Sequence, residues 1–445
     1  MNDAARRSYA SASVPRYTSY PTAAEFSTSV TAADHARWLG RLDVRESVSV
    51  YLHVPYCREI CFYCGCNTKM AVRTDVIASY RCALEDEIDI VARHLQGGFC
   101  IARLHWGGGT PSILGTNGLK SVITRLRRHF AFESGFEHAI ELDPRYVTVE
   151  LADGLAALGI TRASLGIQDV DPLVQAAIGR LQPPAVIEAA VERLQRAGIR
   201  SLSFDLMYGL PLQTIESVRK TCVWAAALAP DRIACFGYAH LPHVKANQRQ
   251  IDAARLPLQD ERVDQAEAIA AELVGHGYTR IGIDHFARPG DALAQAALSG
   301  KLHRNFQGYT DDDRKILLGL GASSISTVAD GFVQNIADVP RYIRAIEAGS
   351  LATARGCRLD AGDRERAEII ERLMCDFEVD LAVIAPNSDF SPECARLAEM
   401  QRQGLVRIDG SRLIVTEAGR SVVRVVAAIF DTYRQSHNFR FSTAV

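Results

Sequence analysis

The stretch VPYCREICFYCGCNTKM, residues 54–70, carries four cysteines within ten residues: Cys57, Cys61, Cys64 and Cys66. It follows directly on the apolar run SVSVYLHV (47–54), whose valines are typical of a buried strand. The thiols therefore lie in a loop at the C-terminal end of the predicted strand. Four thiols so close together indicate a metal or redox site, because structural cysteines ordinarily occur singly as small apolar side chains.

Strand-like and helix-like segments alternate on either side of this loop. The strand-like runs are residues 47–54, 101–108, 137–143, 161–168, 201–211 and 232–242. The helix-like segments run from Asp75 to Gln96, Gly115 to Phe130, Thr148 to Leu158, Pro184 to Ala197 and Thr214 to Leu228. This alternation predicts βαβ units and a parallel sheet with right-handed crossovers. The sequence thus predicts an α/β fold built as a partial, six-unit β/α barrel.

Polar side chains recur at every second position of the predicted strands, so they share one face of the sheet. The residues predicted on this face are Tyr51, His53, Glu141, Asp143, Ser164, Gly166, Gln168, Ser203 and Asp205. The opposite face carries Leu52, Ile140, Leu142, Leu165, Phe204 and Leu206, which suit packing against helices. Because barrel active sites lie at the C-terminal ends of the strands, the polar face predicts the functional site there.

The character of the chain changes after about residue 300. We predict helices over Thr310–Gly321, Arg364–Cys375, Asp380–Ile384, Pro392–Gln403 and Glu417–Tyr433, and a hairpin over residues 404–416 that turns at Asp409-Gly410. Helices followed by a hairpin predict a smaller, mostly helical, winged-helix-like C-terminal domain. The predicted division is an arm at residues 1–47, a barrel with its extension at 48–355 and the C-terminal domain at 356–445.

Bulk composition limits the partners of the chain. It has 445 residues and a formal net charge of −2, without the basic excess typical of nucleic-acid binding. No run approaches the ~20 apolar residues of a membrane span, and the N-terminus lacks the apolar stretch of a signal peptide. We therefore expect a cytoplasmic protein, with no nucleic-acid partner, no membrane and few disulfides among its eleven cysteines.

Three kinds of site compete for the cysteine loop. Structural zinc usually takes two separated pairs of ligands, and no second pair follows at a finger-like distance. A redox pair of Cys61 and Cys64 would need a thioredoxin-type unit, which Gly65 and the additional cysteines disfavour. An iron–sulfur cluster takes thiolates from a compact loop. If Cys57, Cys61 and Cys64 bind three irons of a cubane, the fourth iron stays open, because Cys66 lies too near Cys64 to reach it easily.

The CxxxCxxC spacing after the first strand, followed by HWGGGTPS (105–112), resembles the radical S-adenosylmethionine (SAM) superfamily. The resemblance implies a [4Fe–4S] cluster on Cys57, Cys61 and Cys64, with SAM bound at the open iron. One electron from the cluster would cleave SAM and release a 5′-deoxyadenosyl radical. The glycines of the second motif would approach the methionine amino group, because glycine lets the backbone come close to a ligand.

Further motifs along nearly the whole chain narrow the resemblance. They are VPRYTSYPTAAEF (14–26), YLHVPYCREICFYCGCNTK (51–69), IELDPR (140–145), SLGIQDVDP (164–172), IGRLQP (178–183), SFDLMYGLP (203–211), GYAHLPH (237–243) and NQRQI (247–251). Together they resemble the oxygen-independent coproporphyrinogen III oxidase family. The resemblance implies that two propionate side chains of coproporphyrinogen III are decarboxylated to vinyl groups, giving protoporphyrinogen IX.

The same resemblance implies the binding residues. It places a first SAM against Tyr51, Gly108, Glu141, Ala239 and Ile325, and a second against Tyr63, Gly109, Thr110, Gln168, Arg180 and Asp205. A family member often has Phe where this chain has Tyr63. The resemblance also implies an electron donor such as a flavodoxin-type reductase system. We expect the chain to be a monomer. Arg16, Arg145 and Arg249 are candidates for binding substrate propionates, since arginine pairs with carboxylates in a fork geometry.

Two rival functions are open at this point. A haem chaperone of the same superfamily typically has an aromatic residue where this chain has Cys66, and it lacks the RYTSYPT arm. A winged-helix protein that uses a cluster as a redox sensor would bind DNA in a salt-sensitive way. The presence of both Cys66 and the arm favours the oxidase.

Overall fold

The computed structural model of this chain describes residues 3–435. Its strands are β1 Val48–Val54, β2 Tyr56–Cys57, β3 Lys69–Met70, β4 Cys100–Gly108, β5 Ala131–Leu142, β6 Arg162–Gln168, β7 Ser201–Tyr208, β8 Arg232–Gly237, β9 Thr279–Ile281, β10 His285–Ala287, β11 His303–Asn305, β12 Gly308–Thr310, β13 Leu317–Leu320, β14 Ile325–Val328, β15 Gly331–Asn335, β16 Thr353–Arg358, β17 Glu378–Asp380, β18 Val406–Asp409 and β19 Arg412–Val415. Residues 1–2 of the predicted arm and 436–445 of the predicted C-terminal domain lie outside the described residues.

A twelve-stranded sheet forms the body of the protein, in the order β16-β15-β14-β13-β1-β4-β5-β6-β7-β8-β10-β9. The six predicted strands are β1 and β4 to β8, and each runs parallel to the next. Within the described residues the two end strands, β16 and β9, are not paired with each other. The fold is therefore the predicted partial barrel, and antiparallel strands extend it at both edges.

The segment Thr310–Gly321 is not the predicted helix. It contains the end of β12, a loop and β13, which pairs in parallel with β1 and places Leu318 beside Val50. A Cβ at Gly319 would lie 2.4 Å from the Ile325 carbonyl oxygen, so two strands approach closely there. The prediction was wrong because pairing with a distant strand overrides the local preference of a leucine-rich run.

Helices cover the outer face of the sheet, and the six apolar residues predicted to face them are all buried. The helices are α1 Asp3–Ala10, α2 Ala32–Leu39, α3 Thr74–His94, α4 Gly115–His129, α5 Val149–Ala157, α6 Pro172–Ala177, α7 Pro184–Arg196, α8 Ile215–Ala227, α9 Gln259–Gly275, α10 Ala292–Leu298, α11 Val339–Glu347, α12 Ala361–Asp376, α13 Leu381–Ile384, α14 Ser391–Arg396, α15 Ala398–Arg402 and α16 Val423–Ala427. None of the helices in the described part of the chain is both long and apolar enough to cross a membrane.

The C-terminal part contains the predicted hairpin, β18 and β19, and a third strand, β17, that sequence analysis did not identify. The helix predicted over Pro392–Gln403 is two short helices that meet at the fully buried Leu397. The helix predicted over Glu417–Tyr433 is also interrupted. A Cβ at Gly419 would lie 2.0 Å from the Leu405 carbonyl oxygen, and this close approach accompanies a 3-10 turn before α16.

A second apolar core joins the N-terminal arm to the C-terminal part. Val14, Tyr17 and Tyr20 of the arm pack with buried residues between Ile369 and Phe430. The Tyr17 hydroxyl donates to Asp431 Oδ2 at 2.9 Å. The arm is thereby held against the open end of the barrel. The division of the chain at residues 47 and 355 stays a prediction.

Candidate functional site

A cavity of about 630 Å³ opens at the C-terminal ends of the barrel strands. All of the residues singled out from the sequence as site residues line it, except Tyr51 and Ile325. Those lining it are Cys57, Cys61, Cys64, Tyr63, Gly108, Gly109, Thr110, Glu141, Gln168, Arg180, Asp205 and Ala239. Cys66 and the arm residues Val14, Pro15 and Arg16 also line it. Its volume is in the ordinary range for a small-molecule site.

Each of the three thiols of the CxxxCxxC motif has a polar side chain beside it. Thr110 Oγ1 lies 3.5 Å from Cys57 Sγ, an Arg180 guanidinium nitrogen lies 3.4 Å from Cys61 Sγ, and Thr68 Oγ1 lies 3.7 Å from Cys64 Sγ. Burial raises the pKa of Cys57 to about 11. The pKa of Cys64 is instead lowered, chiefly because the Cys66 thiol hydrogen-bonds to it. Hydrogen-bond donors around thiolates favour their charged, metal-binding form.

Two side-chain amides hold the backbone of the cysteine loop. Asn247 Nδ2 donates to the carbonyl oxygens of Cys61, Phe62 and Cys64 at 3.1, 3.1 and 2.9 Å. Gln248 Nε2 donates to the Tyr63 carbonyl at 2.9 Å. The NQRQI motif indicated the family, but its spacing gave no sign that its amides reach the cysteine loop. We call Asn247 and Gln248 the amide clamp.

Replacing Asn247 should loosen the cysteine loop. Asn247→Ala removes two N–H donors that are shared among three loop carbonyls, and each hydrogen bond contributes about 0.5–1.5 kcal/mol. We expect less iron and sulfide per chain after reconstitution and faster loss of visible absorbance in air. Gln250→Ala is the matched control, because Gln250 is exposed on the same 3-10 segment. Equal iron content and equal decay in the two variants would show that the clamp is dispensable.

The glycine loop packs directly on the cysteine loop. Gly109 N donates to the Val54 carbonyl and Thr110 N to the Tyr56 carbonyl, both at 2.8 Å. A Cβ at Gly109 would lie 2.5 Å from the Tyr56 carbonyl oxygen. Gly108 has φ +107°, a conformation that side chains rarely adopt. Glycine is therefore required at both positions, and the loop backbone is left close to the cavity.

Glu141 of the cavity wall is held by neighbouring polar and aromatic side chains. Glu141 accepts hydrogen bonds from His105 Nε2 and from Gly108 N, both at 3.1 Å. The Tyr51 ring stacks on the His105 ring with 5.8 Å between centroids. Ile325 begins β14, and its carbonyl lies against Gly319, the residue that pairs with Tyr51. Tyr51 and Ile325 thus lie together in the barrel without lining the cavity.

Gln168 and Arg180 extend the site toward β6. Gln168 has φ +71°, and the pairing of β6 with β7 shifts register at this residue. Such irregularities re-aim a side chain and are frequent at functional sites. Arg180 donates to the Gly166 carbonyl at 2.7 Å and lies 3.3 Å from Asp143 Oδ2. The Arg180 guanidinium is thus held in a fixed orientation beside Cys61.

Asp205 is one of the carboxyl groups that line the cavity. Burial raises its pKa to about 7, and repulsion from Glu141 adds to the effect. The Ser164 hydroxyl donates to Asp205 Oδ2 at 3.0 Å and partly offsets both. A carboxyl group that changes charge near neutral pH beside a metal-binding loop is typical of a functional site.

The thiols fit a cluster better than a single metal ion. In the part of the chain that the structure describes, no three His, Cys, Asp or Glu side chains converge on one ion-sized position. A four-iron cluster is larger than one ion and takes thiolates that are spaced further apart. Three cysteines from one loop, each beside a polar neighbour and all facing the same cavity, fit this group.

Comparison with known proteins agrees with this geometry. The family model of the radical SAM superfamily matches residues 51–225, and that of the HemN C-terminal domain matches residues 359–422. Over 431 residues the chain is 45% identical to the oxygen-independent coproporphyrinogen III oxidase of Bradyrhizobium diazoefficiens, covering 96% of each protein. The chain belongs to the oxygen-independent coproporphyrinogen III oxidase family. The family's Escherichia coli oxidase is 39% identical over 425 residues, 94% of this chain and 93% of that protein.

A solved structure of the same family has the same fold. The structure of coproporphyrinogen III oxidase (HemN) from Escherichia coli, described as a radical SAM enzyme, superposes with a TM-score of 0.89. It is 38% identical, and the match covers 94% of this chain and 97% of that one. The predicted barrel type and enzyme class are therefore confirmed. Membership of the radical SAM superfamily implies a [4Fe–4S] cluster and SAM.

Proposed function

We propose that this chain converts two propionate side chains of coproporphyrinogen III to vinyl groups, giving protoporphyrinogen IX. The supporting observation is one cavity lined by the three motif thiols on one side and by Arg16 of the arm on another. When bound, the cluster and SAM together supply one-electron radical chemistry at a propionate β-carbon. The barrel walls and the arm would shield that position from part of the solvent, which protects a reactive intermediate.

We further propose two SAM positions. The second position has the stronger support, because all of its residues line the cavity: Tyr63, Gly109, Thr110, Gln168, Arg180 and Asp205. Arg180 suits a carboxylate and Asp205 a hydroxyl group. In the first position, Gly108, Glu141 and Ala239 line the cavity, whereas Tyr51 and Ile325 would act from outside its lining. A one-electron donor such as a flavodoxin-type reductase system is required, and we propose that the chain works as a monomer.

Among the three arginines considered for the substrate, Arg16 has the best support. Arg145 is paired with Asp143 at 2.7 Å and with Glu59 at 2.9 Å, and it does not line the cavity. Arg249 donates to the Pro242 carbonyl and also lies outside the cavity lining. Arg16 lines the cavity and donates to the Gly237 carbonyl at 2.9 Å.

The raised pKa of Asp205 predicts pH-dependent SAM binding. Below pH 7 the carboxyl group is mainly neutral, and above it the carboxylate attracts the sulfonium cation and accepts hydrogen bonds. We expect SAM affinity to rise about fivefold between pH 6 and 7, as the ionised fraction grows from about one tenth to one half, and to level off above about pH 8. Anaerobic calorimetry checks this prediction. In Asp205→Asn the SAM affinity should no longer change with pH. If it changes with pH as steeply as in the unchanged protein, another group is responsible.

The proposed function is tested by anaerobic turnover. The protein is reconstituted with iron and sulfide, then given a strong reductant, SAM and coproporphyrinogen III, and the products are separated by chromatography. Protoporphyrinogen IX with 5′-deoxyadenosine and methionine is the expected result. Formation of 5′-deoxyadenosine without a new porphyrin product would contradict the assignment of coproporphyrinogen III as the substrate. Stoichiometric haem binding with no turnover would instead identify a haem chaperone.

A further inference from the structure

A second, smaller cavity adjoins the main one. It has a volume of about 50 Å³, room for about three water-sized groups. Arg16, Gly237 and Tyr238 line both cavities, so the two are neighbours across these residues. The small cavity lies where the arm, the barrel and the C-terminal part meet, because Arg424 of α16 and Arg262 of α9 also line it.

The lining of the small cavity is strongly basic. Four arginines, Arg16, Arg262, Arg280 and Arg424, face two carboxylates, Asp284 and Glu267. We call this small cavity, with its four arginines, the arginine pocket. Asp284 is already hydrogen-bonded by His285 Nδ1 at 2.7 Å. Arg424 is buried, Arg262 and Arg280 are half-buried, and Arg16 is exposed. Positive charge therefore exceeds negative charge around a small cavity, which attracts an anion.

Arg262 is the member of the arginine pocket with the least compensation. Among the described residues its guanidinium has no hydrogen-bond acceptor and no carboxylate partner, and its buried Nε is unsatisfied. It lies over the Tyr208 ring, 5.8 Å from the centroid. Burial lowers the pKa of Arg262, and repulsion from the Arg16 guanidinium lowers it further. Arg262 is half-buried. A partly desolvated cation that has no protein partner favours a ligand that supplies the missing negative charge.

Arg424 is held in place by the arm, whereas Arg280 is only weakly compensated. Arg424 Nε donates to the Pro15 carbonyl at 2.9 Å and another of its guanidinium nitrogens donates to the Val14 carbonyl at 2.5 Å, which orients the arm next to Arg16. Burial, together with repulsion from Arg16, lowers the pKa of Arg424 to about 9. Arg280 has a buried Nε without a partner, and its nearest carboxylate, Glu417, is 3.9 Å away.

We propose that the arginine pocket binds one carboxylate of the tetracarboxylate substrate, a propionate that does not react. This inference rests on the proposed function. The pocket is large enough for a carboxylate and its methylene neighbour but too small for a pyrrole ring. No residue of the cysteine loop or the glycine loop is among its lining residues. A propionate held there would anchor the macrocycle in the main cavity, so that another propionate faces the thiols.

Binding without turnover tests the proposal. The cluster- and SAM-loaded protein, without reductant, is mixed anaerobically with coproporphyrinogen III, and free ligand is measured by ultrafiltration and fluorescence after oxidation. Arg262→Gln should weaken binding about 10- to 100-fold, the loss expected for a charge-assisted hydrogen bond. Arg262→Lys should lose less, because it keeps the charge but not the fork. Arg255→Gln, at an exposed arginine just before α9, is the control and should bind within about twofold of the unchanged protein.

The outcomes separate the pocket from the proposed function. Equal binding by Arg262→Gln and the unchanged protein would overturn the arginine pocket and leave the proposed function intact. No binding by the unchanged protein would overturn both. Arg262→Gln should keep its iron content and thermal midpoint, because the guanidinium holds no other group in place. Loss of binding by both Arg262 variants, together with unfolding at a lower thermal midpoint, would also contradict the proposal. The loss would then reflect a damaged fold.

Discussion

Replacing any one of Cys57, Cys61 or Cys64 with alanine should abolish the cluster and all SAM cleavage. The three thiols line one cavity and are the only cysteines of the loop at the spacing that leaves one iron open. Two thiolates from one short loop cannot retain a cubane against loss of iron. We expect iron and sulfide near zero and no 5′-deoxyadenosine, measured by chemical analysis and chromatography after anaerobic reconstitution.

Cys66→Ala is the matched control for these variants. Cys66 lines the same cavity but hydrogen-bonds to Cys64 and is not assigned as a ligand. Its replacement should leave iron content and the visible spectrum in place. If Cys66→Ala loses the cluster as completely as the other three variants, the ligand assignment is wrong.

Arg180→Ala should lower turnover by about 100-fold, since one charge-assisted hydrogen bond contributes about 1.5–3 kcal/mol. The variant removes the guanidinium that contacts Cys61 Sγ and lies beside Asp143. Iron content should stay normal because all three thiols remain. The cluster should become harder to reduce, because hydrogen bonds to its sulfur ligands raise its potential. Turnover assays and a spectroscopic redox titration measure the two effects.

The fold should survive the loss of Arg180. Asp143 keeps its fork contact with Arg145, whose nearest approach is 2.7 Å, so no carboxylate is left buried without a partner. Arg196→Ala is a suitable control, because Arg196 is an exposed arginine on α7 paired only with Glu192. Unchanged turnover in Arg180→Ala would refute its place in the site. Loss of iron would show that it supports the cluster instead.

The barrel could be predicted because its signals are local. The strands β1 and β4 to β8 each carry their own alternation of polar and apolar residues, and the helices between them have their own apolar stripes. The strand at Leu317–Leu320 could not be found in this way. Its leucines suit a helix equally well, and only its distant partner β1 decides between the two. The breaks at Leu397 and Gly419 likewise depend on contacts with residues outside their own helices.

The site shows the same division between local and distant signals. The cysteine and glycine loops are short motifs whose residue types are dictated by ligand chemistry and by lack of space for a Cβ. The amide clamp contacts the cysteine loop across 183 to 186 residues of sequence, which no spacing reveals. The positions of Tyr51 and Ile325 outside the cavity lining depend on how β1, β13 and β14 pack.

The most direct test of the central claim is isotope transfer during anaerobic turnover. Coproporphyrinogen III carrying deuterium on its propionate β-carbons is converted in the presence of SAM and reductant, and the 5′-deoxyadenosine is analysed by mass spectrometry. The account predicts protoporphyrinogen IX together with deuterium in the 5′-deoxyadenosine. Unlabelled 5′-deoxyadenosine, with or without porphyrin product, would contradict it.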